Sequence, residues 1–123
     1  MKTILHLVRV DYYNALPPGK PYLSQGFERE GFIHCTAGKE VLLRVANAIY
    51  REMPGDFVVL VVDETQVTAP VRYEAPVHNS RGPDTILFPH IYGPIDREAI
   101  VDVVPVRRRP DGQFVGFERP LGE

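Results

Sequence analysis

The run Phe57-Val58-Val59-Leu60-Val61-Val62 constrains this chain more than any other stretch. It has no polar face and is rich in β-branched valine, so a strand formed here needs apolar cover on both sides. The chain has 123 residues, enough for one domain, residues 1–123, with little left for a second. The covering layers therefore have to come from the segments around that run.

Ile4 to Val10 reads as a second apolar strand, with Ile4, His6, Val8 and Val10 on one face and Leu5, Leu7 and Arg9 on the other. Asp11 is placed to cap a short helical turn through Leu16, which Pro17, Pro18, Gly19 and Pro21 then end. Tyr22 to Phe27 reads as a loop or another short turn, either a structural wrap or a wall or lid over a pocket. Phe32 to His34 is a short strand. Thr36 is a suitable N-cap for a helix from Ala37 to about Met53, whose Val41, Leu42, Val45, Ala46 and Ile49 form one stripe. Val71 to Glu74 is a further strand, and Ala75 to Asp84 a polar surface loop carrying a solvated His78. Ile100 to Arg108 alternates as a strand, with Pro105 marking an edge or bulge. Pro110-Asp111-Gly112-Gln113 turns it back into Phe114 to Phe117.

A net charge of −2 commits the chain to neither nucleic acid nor an anionic membrane, and DNA is not expected as a partner. No apolar run approaches the roughly 20 residues of a membrane helix. His6 and Arg9 come too early for a secretory signal, and Cys35, the one cysteine, cannot form an intrachain disulfide. A cytoplasmic setting is the expectation.

Two stretches carry chemistry. Gly31-Phe32-Ile33-His34-Cys35-Thr36 ends a strand on an imidazole, a thiol and a hydroxyl just before a helix N-terminus, where unpaired amides favour an anion. In Phe88-Pro89-His90-Ile91-Tyr92-Gly93-Pro94, prolines fix the approach to His90 and the exit. With His6, these are expected to form one polar cleft. Each has a plainer reading: His6 as a core imidazole bonded to a carbonyl, His90 as part of a rigid turn, and Arg72 with Glu74 as a solvated ion pair. No phosphate-loop, dinucleotide or nucleophile-elbow motif is present. A Cys35–His34 pair is disfavoured because strand neighbours point to opposite faces. Three imidazoles (His6, His34 and His90) with water make a conceivable zinc site, but without diagnostic spacing, and no metal is assigned. Neutral donors near a helix end otherwise suit a phosphate-bearing nucleotide, with Phe32, Tyr92 or Tyr22 stacking on a base. Arg107-Arg108-Arg109 reads as a solvated strand end or a phosphate or RNA contact.

His6, the Gly31–Thr36 stretch, Arg72-Tyr73-Glu74 and the Phe88–Pro94 stretch together resemble the hallmark segments of the domain of unknown function 952 (DUF952) family. The resemblance implies an ADP-ribosyltransferase-like fold: α+β, a split, mostly antiparallel sheet with a few helices. That fold hosts enzymes that cleave NAD at the nicotinamide–ribose bond and RNA 2′-phosphotransferases, although the family itself carries no assigned activity. Typical members have tryptophan near Tyr13 and glutamine near Glu40; here an aromatic is kept at the first position and the amide is lost at the second. Three expectations follow. The first is NAD or nucleotide processing, with His6, His34, Glu74 and His90 as catalytic residues and Thr36, Phe32, Arg72 and Tyr92 holding the ligand. The second is nucleotide or RNA-end binding without turnover. The third is a metal-dependent hydrolase built on the histidines.

Overall fold

The computed structural model describes residues 1–76 and 86–121. Most of the expected Ala75–Asp84 loop, with His78, lies outside the described residues. Among the described residues, seven strands form two antiparallel sheets. The first sheet has the order β1 (Thr3–Arg9), β3 (Phe57–Asp63), β6 (Ile100–Arg108), β7 (Phe114–Phe117). The second has the order β2 (Ile33–His34), β5 (Phe88–Ile91), β4 (Val71–Glu74). Every strand pair is antiparallel. The α+β class and the split of the sheet are thus as expected.

β3 lies inside the first sheet and is buried at every residue. Its two faces have different covers. Val58, Leu60 and Val62, with Ile4 and Val8 of β1, pack against Ile33, Ile91 and Ile95 from the side of the second sheet. Val59 and Val61, with Leu5, pack under Leu42 of α3 (Lys39–Ile49). The order of layers is therefore helix, four-stranded sheet, three-stranded sheet, which is the two-sided cover the apolar run demands.

Local boundaries differ where backbone groups are already committed. Thr36 does not cap α3. Its N–H and C=O pair with those of Leu5 at 2.7 and 2.8 Å, and Gly38 takes the cap position. α3 ends at Ile49, a turn before Met53. β1 gives way at Val10 to α1 (Val10–Ala15), so Asp11 sits inside the first helical turn instead of capping it. Tyr22 belongs to the core. It is fully buried and exchanges main-chain bonds with Ile95. Phe27–Glu30 is a helical turn, α2. Pro89 lies within β5, the central strand of its sheet, and not in a turn before it.

The split of the sheet has a local cause. Cys35 donates its N–H to the Pro89 carbonyl at 3.0 Å. Proline has no N–H to return, so the β2–β5 ladder stops after two residue pairs. The chain then crosses to β1, where Thr36 meets Leu5.

Candidate functional site

The outer edge of β1 takes its main-chain bonds from the segment just after β2, between Leu5 and Thr36. Beyond that bridge the two chains part, and a cleft of about 510 Å³ opens between them. One wall is the β1 edge with the flank of α3, from which Leu42, Val45, Ala48, Ile49 and Tyr50 project. The other carries Arg29 and Glu30 of α2, then His34, Thr36 and His90. Main-chain groups alternate sides along a strand. Because Leu5 points its N–H and C=O outward at Thr36, Leu7 and Arg9 point theirs outward too, and among the described residues no strand pairs with them. Both residues line the cleft.

The three histidines converge, in two different roles. His34 and His90 are cross-strand partners, with ring centroids 5.5 Å apart. His34 is partly open to solvent, and its Nε2 lies 3.0 Å from Glu30 Oε2. Gly31, in the left-handed region at φ +83°, makes the turn that brings Glu30 back over β2. His90 is buried and its Nδ1 lies 2.7 Å from Glu74 Oε1. Tyr92 donates its hydroxyl to the same carboxylate oxygen at 2.6 Å. The Tyr92 and His90 hydrogen bonds hold the Glu74 carboxyl below its usual range.

His6 works differently. Its Nδ1 is 2.7 Å from the His34 carbonyl and its Nε2 is 2.7 Å from the Tyr22 hydroxyl. A carbonyl only accepts, so Nδ1 carries the proton and Tyr22 donates to Nε2. Burial lowers the His6 pKa to about 4, which keeps the ring neutral and its tautomer fixed. His6 therefore bridges β1 to β2 one residue past the last main-chain bond between them. Its nitrogens are spent on structure, although the ring lines the cleft.

A family model described as "Protein of unknown function (DUF952)" matches residues 7–103. The chain belongs to the DUF952 family. No curated protein matches it. In shape, this DUF952 chain is similar to the crystal structure of protein CC0527 from Caulobacter crescentus, with a TM-score of 0.74, 24% identity, and coverage of 92% of this chain and 93% of that one. A double-mutant form of CC0527 matches with a TM-score of 0.73 at the same identity and coverage. Both likenesses bear on the fold.

Across this DUF952 site the expected residues fall into two groups. His6, His34, Thr36 and His90 line the cleft, whereas Phe32, Arg72, Glu74 and Tyr92 do not. These last four cluster behind His90. Phe32 stacks on the His90 ring at 4.1 Å and 22°, and the Arg72 guanidinium lies over the Tyr92 ring at 5.0 Å. Glu74 bonds to His90 and Tyr92, so the solvated Arg72–Glu74 ion pair does not form. Both nitrogens of His6 are committed within the protein, and among the described residues no group of three or more His, Cys, Asp or Glu side chains is arranged to hold a metal ion. Burial pushes the Cys35 thiol up, away from the nucleophilic thiolate. The cleft runs along the flank of α3 and not at its N-terminus, so the expected helix-end anion site is not where the histidines are.

Sequence reading missed Glu30, Arg29, the Leu7 edge and the α3 wall. Glu30 had one signal: an acid four residues before His34, with a glycine between. The other three had none, because they depend on which segments the split leaves apart.

Proposed function

We propose that this chain binds NAD or a related nucleotide in the cleft between β1 and β2, and that its split sheet is of the ADP-ribosyltransferase-like kind. The observation that carries the reading is the open β1 edge facing two imidazoles across about 510 Å³, a volume suited to a cofactor-sized ligand. The N–H and C=O of Leu7 make a two-point match for a planar carboxamide, the group nicotinamide presents. The apolar flank of α3, with Tyr50, takes a ring. Arg29 lines the rim, its guanidinium without an ion-pair partner among the described residues, and is suited to a diphosphate. His34 and Thr36 bond ribose hydroxyls. Cleavage or transfer at the glycosidic bond, to water or to an acceptor such as RNA, is the activity this binding mode supports.

The direct test is incubation with NAD and measurement of free nicotinamide, against a His34→Ala/His90→Ala control. Release by the native protein above that control supports turnover. Its absence, across water and RNA acceptors, sinks the catalytic part. A second reading, binding of a nucleotide or RNA end without turnover, is favoured by one observation: Glu74, the expected catalytic carboxylate, sits behind His90 and outside the cleft. It predicts ligand-linked stabilisation, about 2.7 kcal/mol at a hundredfold excess over Kd, with no product.

A further inference from the structure

The Glu74–Tyr92–His90 cluster has a chemical consequence that neither binding nor turnover of a nucleotide requires by itself. An ionised carboxylate only accepts hydrogen bonds. Glu74 takes two on Oε1, from the Tyr92 hydroxyl and from His90 Nδ1. The Nδ1 of His90 therefore carries a proton in every ionisation state of the ring. In the neutral ring the lone pair is then on Nε2. The ring cannot readily turn over to reverse this. Phe32 covers one of its faces at 4.1 Å, His34 sits at 5.5 Å with its plane at 70°, and only 2% of His90 is exposed. His90 lines the cleft and Glu74 does not, so the edge bearing Nδ1 is turned from the cleft and Nε2 is left to face it.

We infer that Glu74 is a positioning residue which holds His90 as the Nδ1–H tautomer, so that its Nε2 is a fixed acceptor in the cleft for a donor group of the ligand, such as a ribose hydroxyl. The identity of that donor rests on the nucleotide reading; the tautomer does not. Neutral histidine in water favours the opposite tautomer, so the protein is doing work against the solution preference. A merely structural Glu74 would leave the tautomer indifferent to its removal.

Long-range ¹H–¹⁵N spectra of ¹⁵N-histidine-labelled protein above pH 7.5 read the tautomer with no ligand present. Native protein is expected to show Nδ1–H at His90. Glu74→Ala is expected to move the population toward Nε2–H, and Glu74→Gln, whose amide oxygen can still accept, to retain Nδ1–H. Titration of the same three proteins with ADP-ribose by calorimetry is expected to give a loss of about fivefold to tenfold in affinity for Glu74→Ala, the worth of one mispresented hydrogen bond, and little for Glu74→Gln. An Nε2–H signal from native His90, or an unchanged tautomer in a folded Glu74→Ala protein, overturns the inference. If native protein ignores ADP-ribose while the spectra show Nδ1–H that depends on Glu74, the nucleotide reading falls and the positioning role stands. Should Glu74→Ala fail to fold, native protein against Glu74→Gln and Tyr92→Phe decides: Nδ1–H in all three supports the role, and Nε2–H in the native protein ends it.

Discussion

Two concavities of similar size adjoin at Met53, which lines both. The β1–β2 cleft holds about 510 Å³, and a basin lined by Arg51, Arg108, Arg109, Gly112 and the turn after α3 holds about 580 Å³. By charge the basin is the more promising, since it gathers three arginines. Its charges are already spent. Arg51 and Arg109 both reach Asp111, at 3.4 and 3.3 Å. Arg108 bonds the carbonyls of Tyr50, Arg51, Gly55 and Gly112, and lies over Phe114 at 4.3 Å. It ties the end of α3 to the β6–β7 hairpin. The cleft holds fewer cations, but among the described residues the Arg29 guanidinium has no ion-pair partner and no strand pairs with the outward main chain of Leu7 and Arg9. Uncommitted groups, and not the number of charges, mark the concavity that can take a ligand.

The comparison breaks first at Arg108. Its replacement by alanine should cost about 3 kcal/mol in denaturant unfolding, because several helix-end carbonyls lose a charged donor and Phe114 loses its cover. Arg107→Ala and Arg109→Ala, at exposed ion pairs, should each stay within about 0.5 kcal/mol. A basin-wide fall from all three would mean that the patch acts as a unit.

The cleft side has its own structural member. The folded His6 pKa of about 4 lies below its ordinary 6.5, so the unfolded chain takes up the proton first as pH falls. The contribution of His6 is complete above pH 6.5 and is lost as pH drops toward 4. We expect about 2 kcal/mol of lost stability between pH 7.5 and pH 5 from this ring. A His6→Asn protein should show a shallower slope in that window. Equal slopes would show that His6 is not buried neutral.

Smaller, at about 1.5 kcal/mol, is the expected cost of Tyr22→Phe, which leaves His6 Nε2 without its donor. Smallest in stability is Arg29→Ala, within about 0.5 kcal/mol, yet it should weaken ADP-ribose about tenfold as measured by calorimetry. An Arg29→Ala protein that binds as well as native would remove the distinction between the two concavities.

Much of the fold could be read from pattern. The Phe57–Val62 run required cover on both faces and has it, and β4, β6 and β7 lie where alternation and turn residues put them. Local rules failed where a long-range bond claimed the same atoms. Thr36 is a good cap by type, but its backbone belongs to Leu5. Tyr22 sits in a proline-rich stretch that looks exposed, but its ring fills the core beneath His6. The three arginines of 107–109 are alike in sequence, and only the middle one meets the end of α3.

The residue order alone determined that β3 needs apolar cover on both faces, that His34 and Cys35 point apart, and that Pro89 has no N–H to give, since each follows from side-chain type and strand periodicity. Tertiary structure alone decided that His6 is a strut, that Glu74 serves His90 from behind, and that the cleft runs along the flank of α3. Those outcomes depend on which segments meet across the chain, and hydrogen-bonding groups go to whichever partner the packed layers bring within about 3 Å.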